Sequence, residues 1–468
     1  MLWAARSCAA GHDIDCYGPF ASLKVRMVAE KKAARSARAE GLVVMPWDEQ
    51  EALAPYAEAS IDRLSMAGPL LGATGWIDEL AQLVAVDTSG PEVKGCDALA
   101  ALLQDQFAPL GFDMRRIPLE AGPVDGPRLH LIAARRNGRP VCTIPLLMDT
   151  APANPHWTRP PLTLTRQGNR LYGLGTVSMK GAIAAVWAAL RAADAVGLKL
   201  RFDPLLLFTT DGAARRWPGL RHLAEQRVAE GHVLWLNGPV APRIWAGSLG
   251  SFELEVRVTG CSGQCGANAA AVAKPILSSL ARLQTDLRRR TSRLPAPPEA
   301  GGGMLRPRLS VVSVRAPAEG DELPGCTLLL QRSFTAEEGY ASALAELRAA
   351  VASAAGEVPG CKVESCVARR LEPVVDPDHG PNWSRWLRAL SWGFGFAPTS
   401  FRRWGGAGGS AIGFMQQAGI REILAGGLLR RGQRLHSPDE HTTVEDVEAL
   451  SRAILAYLAD VPQIPDYT

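Results

Sequence analysis

The sequence predicts an α/β protein whose mixed, mostly parallel sheet is covered by helices, with an α+β ferredoxin-like domain inserted as a lid. Two observations support this prediction. Short apolar runs alternate with helical patterns over residues 76–248 and again after residue 371, which is typical of a parallel sheet covered on both faces. Between them, strands alternate apolar and polar residues, as strands with one solvated face do.

The first α/β part follows from periodicity. Apolar residues three and four apart predict helices over 48–67, 76–87 and 97–110. Apolar runs at 128–134 and 141–147 are bounded by Gly, Pro and Asn, which predicts strands. A helix, a strand, a helix and a strand are then predicted at 179–193, 203–208, 219–229 and 232–236.

The inserted part has a different order. Strands are predicted at 251–260, 309–317, 325–334 and 361–369, and helices at 270–290 and 337–354. This strand–helix–strand–strand–helix–strand order is typical of a ferredoxin-like domain. The predicted organisation is an N-terminal extension with the first helices (1–75), an α/β domain in two parts (76–248 and 371–468), and an inserted dimerisation or lid domain (249–370).

Composition narrows the class of protein. The length of 468 residues exceeds what one core usually supports. The net charge of +4, from 51 basic and 47 acidic residues, is too small for a nucleic-acid footprint. No apolar stretch has the roughly 18–20 residues of a membrane helix, and Asp13 and Asp15 do not fit a signal peptide. Nine cysteines without a Cys-x-x-Cys pair indicate reduced thiols. We therefore predict a cytoplasmic protein without nucleic-acid or membrane partners.

Seven short motifs occur in a fixed order within residues 76–462. They are LLMDTAP (146–152), WTRPP (157–161), GNRLYGLGTVSMKG (168–181), FTTDGA (208–213), LNGP (236–239), GGSAI (408–412) and LHSPDE (435–440). Together they resemble the peptidase M20 family of zinc-dependent amidohydrolases, which includes aminoacylases and carnosinases. The resemblance implies the two-domain fold and a homodimer formed through residues 249–370.

The resemblance also implies which positions carried the chemistry. Family members hold two zinc ions with imidazole and carboxylate ligands and use a Glu as general base. The five ligand positions and the base position correspond here to Leu147, Ser178, Ala213, Gly238 and His436, and to Gly212. Only His436 keeps a ligand, whereas a catalytic zinc needs about three protein ligands. We therefore predict that no catalytic residue is intact and that no metal or other cofactor is bound.

Several residues are candidates for binding a ligand in the altered cleft. They are Asp149, Gln264, Arg332, Gly409, Ser410 and His436. In the family, the position of Gln264 is a His that reaches the substrate carbonyl across the dimer, and that of Arg332 grips a substrate carboxylate. Each candidate also has a purely structural interpretation. Asp149 can cap a turn, Arg332 can be merely solvated, His436 can be kept for hydrogen bonding, and the glycines of 405–410 can form a tight turn instead of an anion site.

Three functions follow, in order of preference. The first is a pseudoenzyme that binds an amino-acid- or peptide-like ligand. The second is a metal-independent or residual hydrolase that acts on N-acyl amino acids or small peptides in the same cleft. The third is a conventional amidohydrolase, which would require a different alignment of the ligand positions. The flanking glycines and Met179-Lys180-Gly181 fix that alignment and argue against the third.

Overall fold

The structure is a computed structural model that describes residues 58–89, 95–119, 128–210, 219–259, 269–298, 302–315, 325–357 and 360–459. Gly212, Ala213 and Gln264 lie outside the described residues. The helix predicted over 48–67 is described from Glu58 onward. No helix in the described ranges is long and apolar enough to cross a membrane.

Helices and strands alternate through most of the described chain. The helices are α1 (Glu58–Ala73), α2 (Trp76–Ala85), α3 (Cys96–Phe107), α4 (Lys180–Ala195), α5 (Gly219–Glu225), α6 (Ala269–Leu287), α7 (Tyr340–Ala355), α8 (Trp383–Phe394), α9 (Gly413–Gln417) and α10 (Val444–Leu458). The strands are β1 (Asp113–Leu119), β2 (Arg128–Ala134), β3 (Val141–Leu147), β4 (Thr165–Gln167), β5 (Arg170–Tyr172), β6 (Asp203–Thr209), β7 (His232–Trp235), β8 (Arg243–Ser248), β9 (Gly250–Thr259), β10 (Arg308–Arg315), β11 (Gly325–Phe334), β12 (Lys362–Leu371), β13 (Val374–Val375), β14 (Arg402–Gly406), β15 (Ile423–Ala425) and β16 (His441–Thr443).

The larger sheet has the strand order β1-β2-β6-β3-β7-β15. The four strands from β6 to β15 are parallel to one another, and β1 and β2 continue the sheet in antiparallel fashion at one edge. Strands β3 and β6 are buried along almost their whole length, as apolar strands covered on both faces must be. The α/β fold class is confirmed.

The second sheet is antiparallel, with the order β10-β11-β9-β12. Helices α6 and α7 pack on it around a core of their own, which includes Phe252, Leu254, Ile276, Leu328 and Leu347. Chain order and strand order together are those of a ferredoxin-like unit. This confirms the predicted α+β part of the fold.

The chain enters and leaves this second sheet at neighbouring positions. Strand β9 begins two residues after β8 ends, and β13 begins three residues after β12 ends. Ser251 pairs with Leu371 in the second sheet. Just outside that sheet, Ser248, on the entering segment, pairs with Val374, on the leaving segment. Both connections therefore pass side by side between the two parts of the fold.

A histidine pair lies between the larger sheet and α5. The rings of the buried His130, on β2, and the half-buried His222, on α5, stack with centroids 5.4 Å apart. Among the described residues, neither ring nitrogen of His130 has a hydrogen-bond partner. Burial, and secondly the neighbouring charge of His222, lowers the pKa of His130 from 6.5 to about 3. His130 is therefore neutral in the folded protein at physiological pH.

We expect His130 to make the protein sensitive to mild acid. Between pH 6.5 and 3 the unfolded chain protonates this ring while the folded chain excludes the proton, so the free energy of unfolding falls as the pH drops. From pH 6.5 to 5, wild type should lose about 2 kcal/mol more than His130→Phe, which keeps a flat ring but does not titrate. Urea unfolding of both chains at the two pH values measures this difference. Parallel losses in the two proteins would contradict the prediction.

Candidate functional site

Leu147, the first predicted ligand position, lies at the carboxyl end of the parallel strands, where α/β sheets usually bind their ligands. Leu147 ends β3 opposite Thr209 of β6, and its side chain is buried. The Met148 amide donates to the Thr209 carbonyl at 2.8 Å. Asp149 follows immediately and is also buried. The position predicted from the family resemblance for an imidazole ligand therefore holds an aliphatic side chain without a lone pair.

Glu440 joins the segments around Ser178 and His436. One of its carboxylate oxygens accepts the Val177 amide at 2.9 Å, and the other accepts the His436 amide at 3.3 Å. Burial raises the pKa of Glu440 to about 7, against the opposing effect of backbone hydrogen bonds from Val177, His436 and Ser178. Ser178 is buried, whereas the His436 side chain is exposed on a backbone with φ of 56°. The Glu440 carboxylate thus brings the backbone around two predicted ligand positions, Ser178 and His436, close together.

Lys180 is a second buried ionisable group near Ser178 and Glu440. Its side chain is fully buried, and its ammonium donates to the Val86 carbonyl at 2.9 Å. Burial lowers the pKa of Lys180 to about 8, although Asp87 and Glu440 favour the charged form. The ammonium therefore ties the start of α4 to the end of α2. This arrangement supports the structural interpretation of Lys180 over that of a nucleophile.

Gly238 follows β7 and lies against an arginine. Its amide donates to the Gly426 carbonyl at 2.8 Å. A Cβ atom at Gly238 would lie 2.9 Å from the Gly426 oxygen and 3.2 Å from Nη2 of Arg243. A side chain at Gly238 would therefore require the Gly426 backbone to shift. The guanidinium of Arg243 lies next to this predicted carboxylate position.

Arg243 was not among the residues selected from sequence. It is the first residue of β8 and is only 8% exposed. Its guanidinium carbon lies 4.5 Å from the ring centroid of Trp404 and 5.9 Å from that of Trp245. Burial lowers its pKa to about 9. No carboxylate in the described ranges forms an ion pair with it.

The residues that the structure places at these positions do not fit a zinc pair. Leu147 and Gly238 offer no ligand atom, Ser178 offers a neutral hydroxyl, and the guanidinium of Arg243 repels a cation. Within the described chain, the one group of three side chains with metal-ligand spacing is Asp376, Asp378 and His379. It lies at the amino end of β15, where the Pro377 carbonyl accepts from the Ile423 amide, and Asp378 lines a small recess together with Arg243.

Arg403 already neutralises that acidic group. Its Nε donates to Asp378 at 2.8 Å, and its Nη2 donates to Asp376 at 2.7 Å. A cation would have to compete with this guanidinium for both carboxylates. The group therefore has the chemistry of a surface ion-pair network.

Arg332 is the predicted ligand-binding residue of the inserted part that the structure describes, and it is engaged internally. Arg332 is fully buried on β11, where it hydrogen-bonds to Glu338 and to Glu346, the latter at 3.3 Å. Arg290, in the turn that follows α6, contacts the same two carboxylates. The guanidinium of Arg332 thus has partners within its own domain. Its proposed contact with a ligand carboxylate stays a prediction.

The glycine-rich loop 405–410 packs on the crossing between the two parts of the fold. A Cβ atom at Gly409 would lie 2.4 Å from Oγ of Ser251 and 2.9 Å from Cβ of Leu371. The Ser410 carbonyl accepts the Gly413 amide at 3.1 Å. This close approach requires a glycine at 409, which is the tight-turn interpretation of the loop. Its role in anion binding stays a prediction.

A shallow recess of about 440 Å³ opens at the opposite end of the larger sheet. Asp113, Ala134, Leu205 and Glu230 contribute to its lining. Leu205 lies near the amino end of β6, whereas Leu147 and Thr209 lie at the carboxyl ends of their strands. This recess therefore lies away from the predicted ligand positions.

Comparisons with known proteins agree with this architecture. A sequence profile of peptidase family M20/M25/M40 matches residues 148–460, well over half of the chain. Acetylornithine deacetylase from Salmonella arizonae is 31% identical over 201 residues, which make up 41% of this chain and 50% of that protein. The chain thus spans about half the length of the Salmonella acetylornithine deacetylases that it matches.

Two solved structures have the same fold over most of their length. The dipeptidase Dug1p from Saccharomyces cerevisiae superposes with a TM-score of 0.70 at 13% identity, covering 84% of this chain and 97% of that one. Human carnosine dipeptidase 1 superposes with a TM-score of 0.67 at 14% identity, covering 84% of this chain and 99% of that one. At these identities the likeness shows the fold alone.

Proposed function

The chain belongs to peptidase family M20/M25/M40, and on that premise we propose that it is a non-catalytic member that binds its ligand without zinc. The ligand is an amino-acid- or peptide-like molecule, the class suggested by the names of the acetylornithine deacetylases and dipeptidases that it resembles. We further propose that it is a cytoplasmic homodimer formed through residues 249–370.

One observation carries the proposal. The position that holds an acidic zinc ligand in the family is Gly238, and the guanidinium of Arg243 lies against it. A positive charge there disfavours a dication, and neither Leu147 nor Ser178 offers a carboxylate or imidazole to offset it. The general base position, Gly212, cannot shuttle a proton. Binding is the part of the family's function that such a cleft supports.

Metal analysis tests the proposal. The purified chain, dialysed against zinc and then against buffer, should retain well below one zinc per chain, whereas an acetylornithine deacetylase treated in parallel serves as the zinc-binding control. Neither N-acetylornithine nor a dipeptide should be hydrolysed faster than in buffer. About two zinc ions per chain would refute the proposal. Hydrolysis that persists in a chelator would instead support the metal-independent hydrolase.

A further inference from the structure

We infer that Arg243 is the anchor of a carboxylate-binding subsite, in the place where related enzymes carry a metal-ligating carboxylate. The inference rests on the proposed function, because it assumes that no dication fills the cleft. It adds the chemical group that the cleft recognises and the residue that recognises it. The ligand class is an N-acylated amino acid or peptide with a free carboxylate.

The position of the guanidinium is the first argument. Gly238 follows the carboxyl end of β7, and Nη2 of Arg243 lies 3.2 Å from where its Cβ would be. Gly426, which accepts the Gly238 amide, directly follows β15 at the same edge of the sheet. This is the edge at which Leu147 ends β3. Nη2 therefore lies beside Gly238, at the carboxyl edge of the parallel strands.

The missing counter-charge is the second argument. Only 8% of Arg243 is exposed, yet no carboxylate in the part of the chain that the structure describes forms an ion pair with it. Arg332, Arg403 and Arg430, by contrast, each contact an acidic side chain. A buried charge without a partner is costly, and an anionic ligand would remove that cost on binding. The lowered pKa of Arg243 has the same origin in burial.

The aromatic neighbours are the third argument. Trp404 lies over the guanidinium at 4.5 Å from its ring centroid, which orients the plane of the group. A guanidinium held by its face presents its N–H groups at the edge, where they match the two oxygens of a carboxylate. A planar carboxylate fits this edge better than a cation or a neutral amide does.

Calorimetric titration with N-acetylglycine tests the inference, and N-acetylglycinamide provides the matched neutral probe. The acid should bind saturably and the amide should not. Arg243→Met should weaken binding of the acid about tenfold or more, because a charge-assisted pair is lost. Arg402→Met is the control. Arg402, on β14, is the cross-strand partner of Arg243, but its side chain is exposed and donates to the Thr399 and Phe401 carbonyls.

Each outcome decides the inference. Equal binding of acid and amide, unchanged binding in Arg243→Met, or no saturable binding of the acid would overturn it, as would binding of inorganic phosphate alone. If Arg243→Met does not fold, Arg243→Lys keeps the charge without the fork, and binding should still weaken measurably. Zinc is measured on the same samples. Two zinc ions would refute the proposed function, whereas absent zinc with no carboxylate binding would refute only the Arg243 subsite.

Discussion

A chain that again carries the family's zinc ligands is expected to bind two zinc ions, where the natural chain retains well below one. The required changes restore imidazole and carboxylate at the positions that lack them: Leu147→His, Ser178→Asp, Gly212→Glu, Ala213→Glu and Gly238→Glu. With His436 they supply all five ligands and the base that the family resemblance implies. Bridging carboxylate charge then offsets the repulsion between the two dications.

Arg243 must be changed at the same time. A Glu at 238 would meet Nη2 of Arg243 and would form an ion pair with it instead of binding zinc. We therefore expect the five substitutions alone to recover little zinc, and the addition of Arg243→Leu to recover most of it. The carbonyl of Gly426, 2.9 Å from the added Cβ, must also shift, so the affinity should stay below that of a natural relative.

Zinc per chain, measured by elemental analysis after dialysis, decides this prediction. The control adds His436→Ala to the sixfold variant, which should lower the zinc content because a ligand is lost again. Equal zinc content with and without Arg243→Leu would show that the guanidinium does not oppose metal binding. Failure of the folded sixfold variant to bind zinc would show that the ligand positions were assigned incorrectly.

Arg332→Met is expected to destabilise the inserted domain by about 3 kcal/mol. The substitution removes the buried cation that contacts Glu338 and Glu346, so the two carboxylates, which repel each other, share only the more exposed Arg290. Arg290→Met is the matched control. Arg290 contacts the same carboxylates but is 41% exposed, so its loss should cost less than about 1 kcal/mol.

Hydrogen exchange of the amides in β9 and β11 measures this local effect better than a global unfolding curve, because a chain with two lobes need not unfold in one step. Faster exchange in Arg332→Met than in Arg290→Met is the expected result. The opposite finding, unchanged exchange together with lost N-acetylglycine binding, would favour the ligand-gripping role that the family resemblance implies for Arg332.

The elements that sequence predicted well are those whose environment is uniform. Strands β3 and β6 are buried on both faces, so their apolar runs match the strand bounds within one residue. Strand β1 was missed because Arg115 and Arg116 interrupt its pattern at the solvated edge of the sheet. Strand β8 was missed because it is short and pairs with β14, more than 150 residues further along the chain.

The candidate site was predictable only where motifs reach it. Leu147, Ser178 and Gly238 were selected because the motif residues around them match the family pattern, and their role as ligand positions stays a prediction. Arg243 belongs to no motif. Its approach to Gly238 depends on the turn between β7 and β8 and on the pairing of β8 with β14, which are properties of the folded chain. The neighbouring residues in the sequence, Pro242 and Trp245, do not indicate that Arg243 approaches Gly238.

The adjacent crossings of the chain have a consequence for dissecting this protein at the level of its gene. Ser248 and Val374 are cross-strand neighbours. A two-residue hairpin could therefore replace residues 249–373 and join the two parts of the α/β lobe into one continuous polypeptide. The excised segment begins and ends beside the pair Ser251 and Leu371, so its own termini emerge together. Each lobe can thus be encoded in one uninterrupted reading frame, and the excision also removes Leu249, Leu294 and Leu305, which pack with Ala246 of β8.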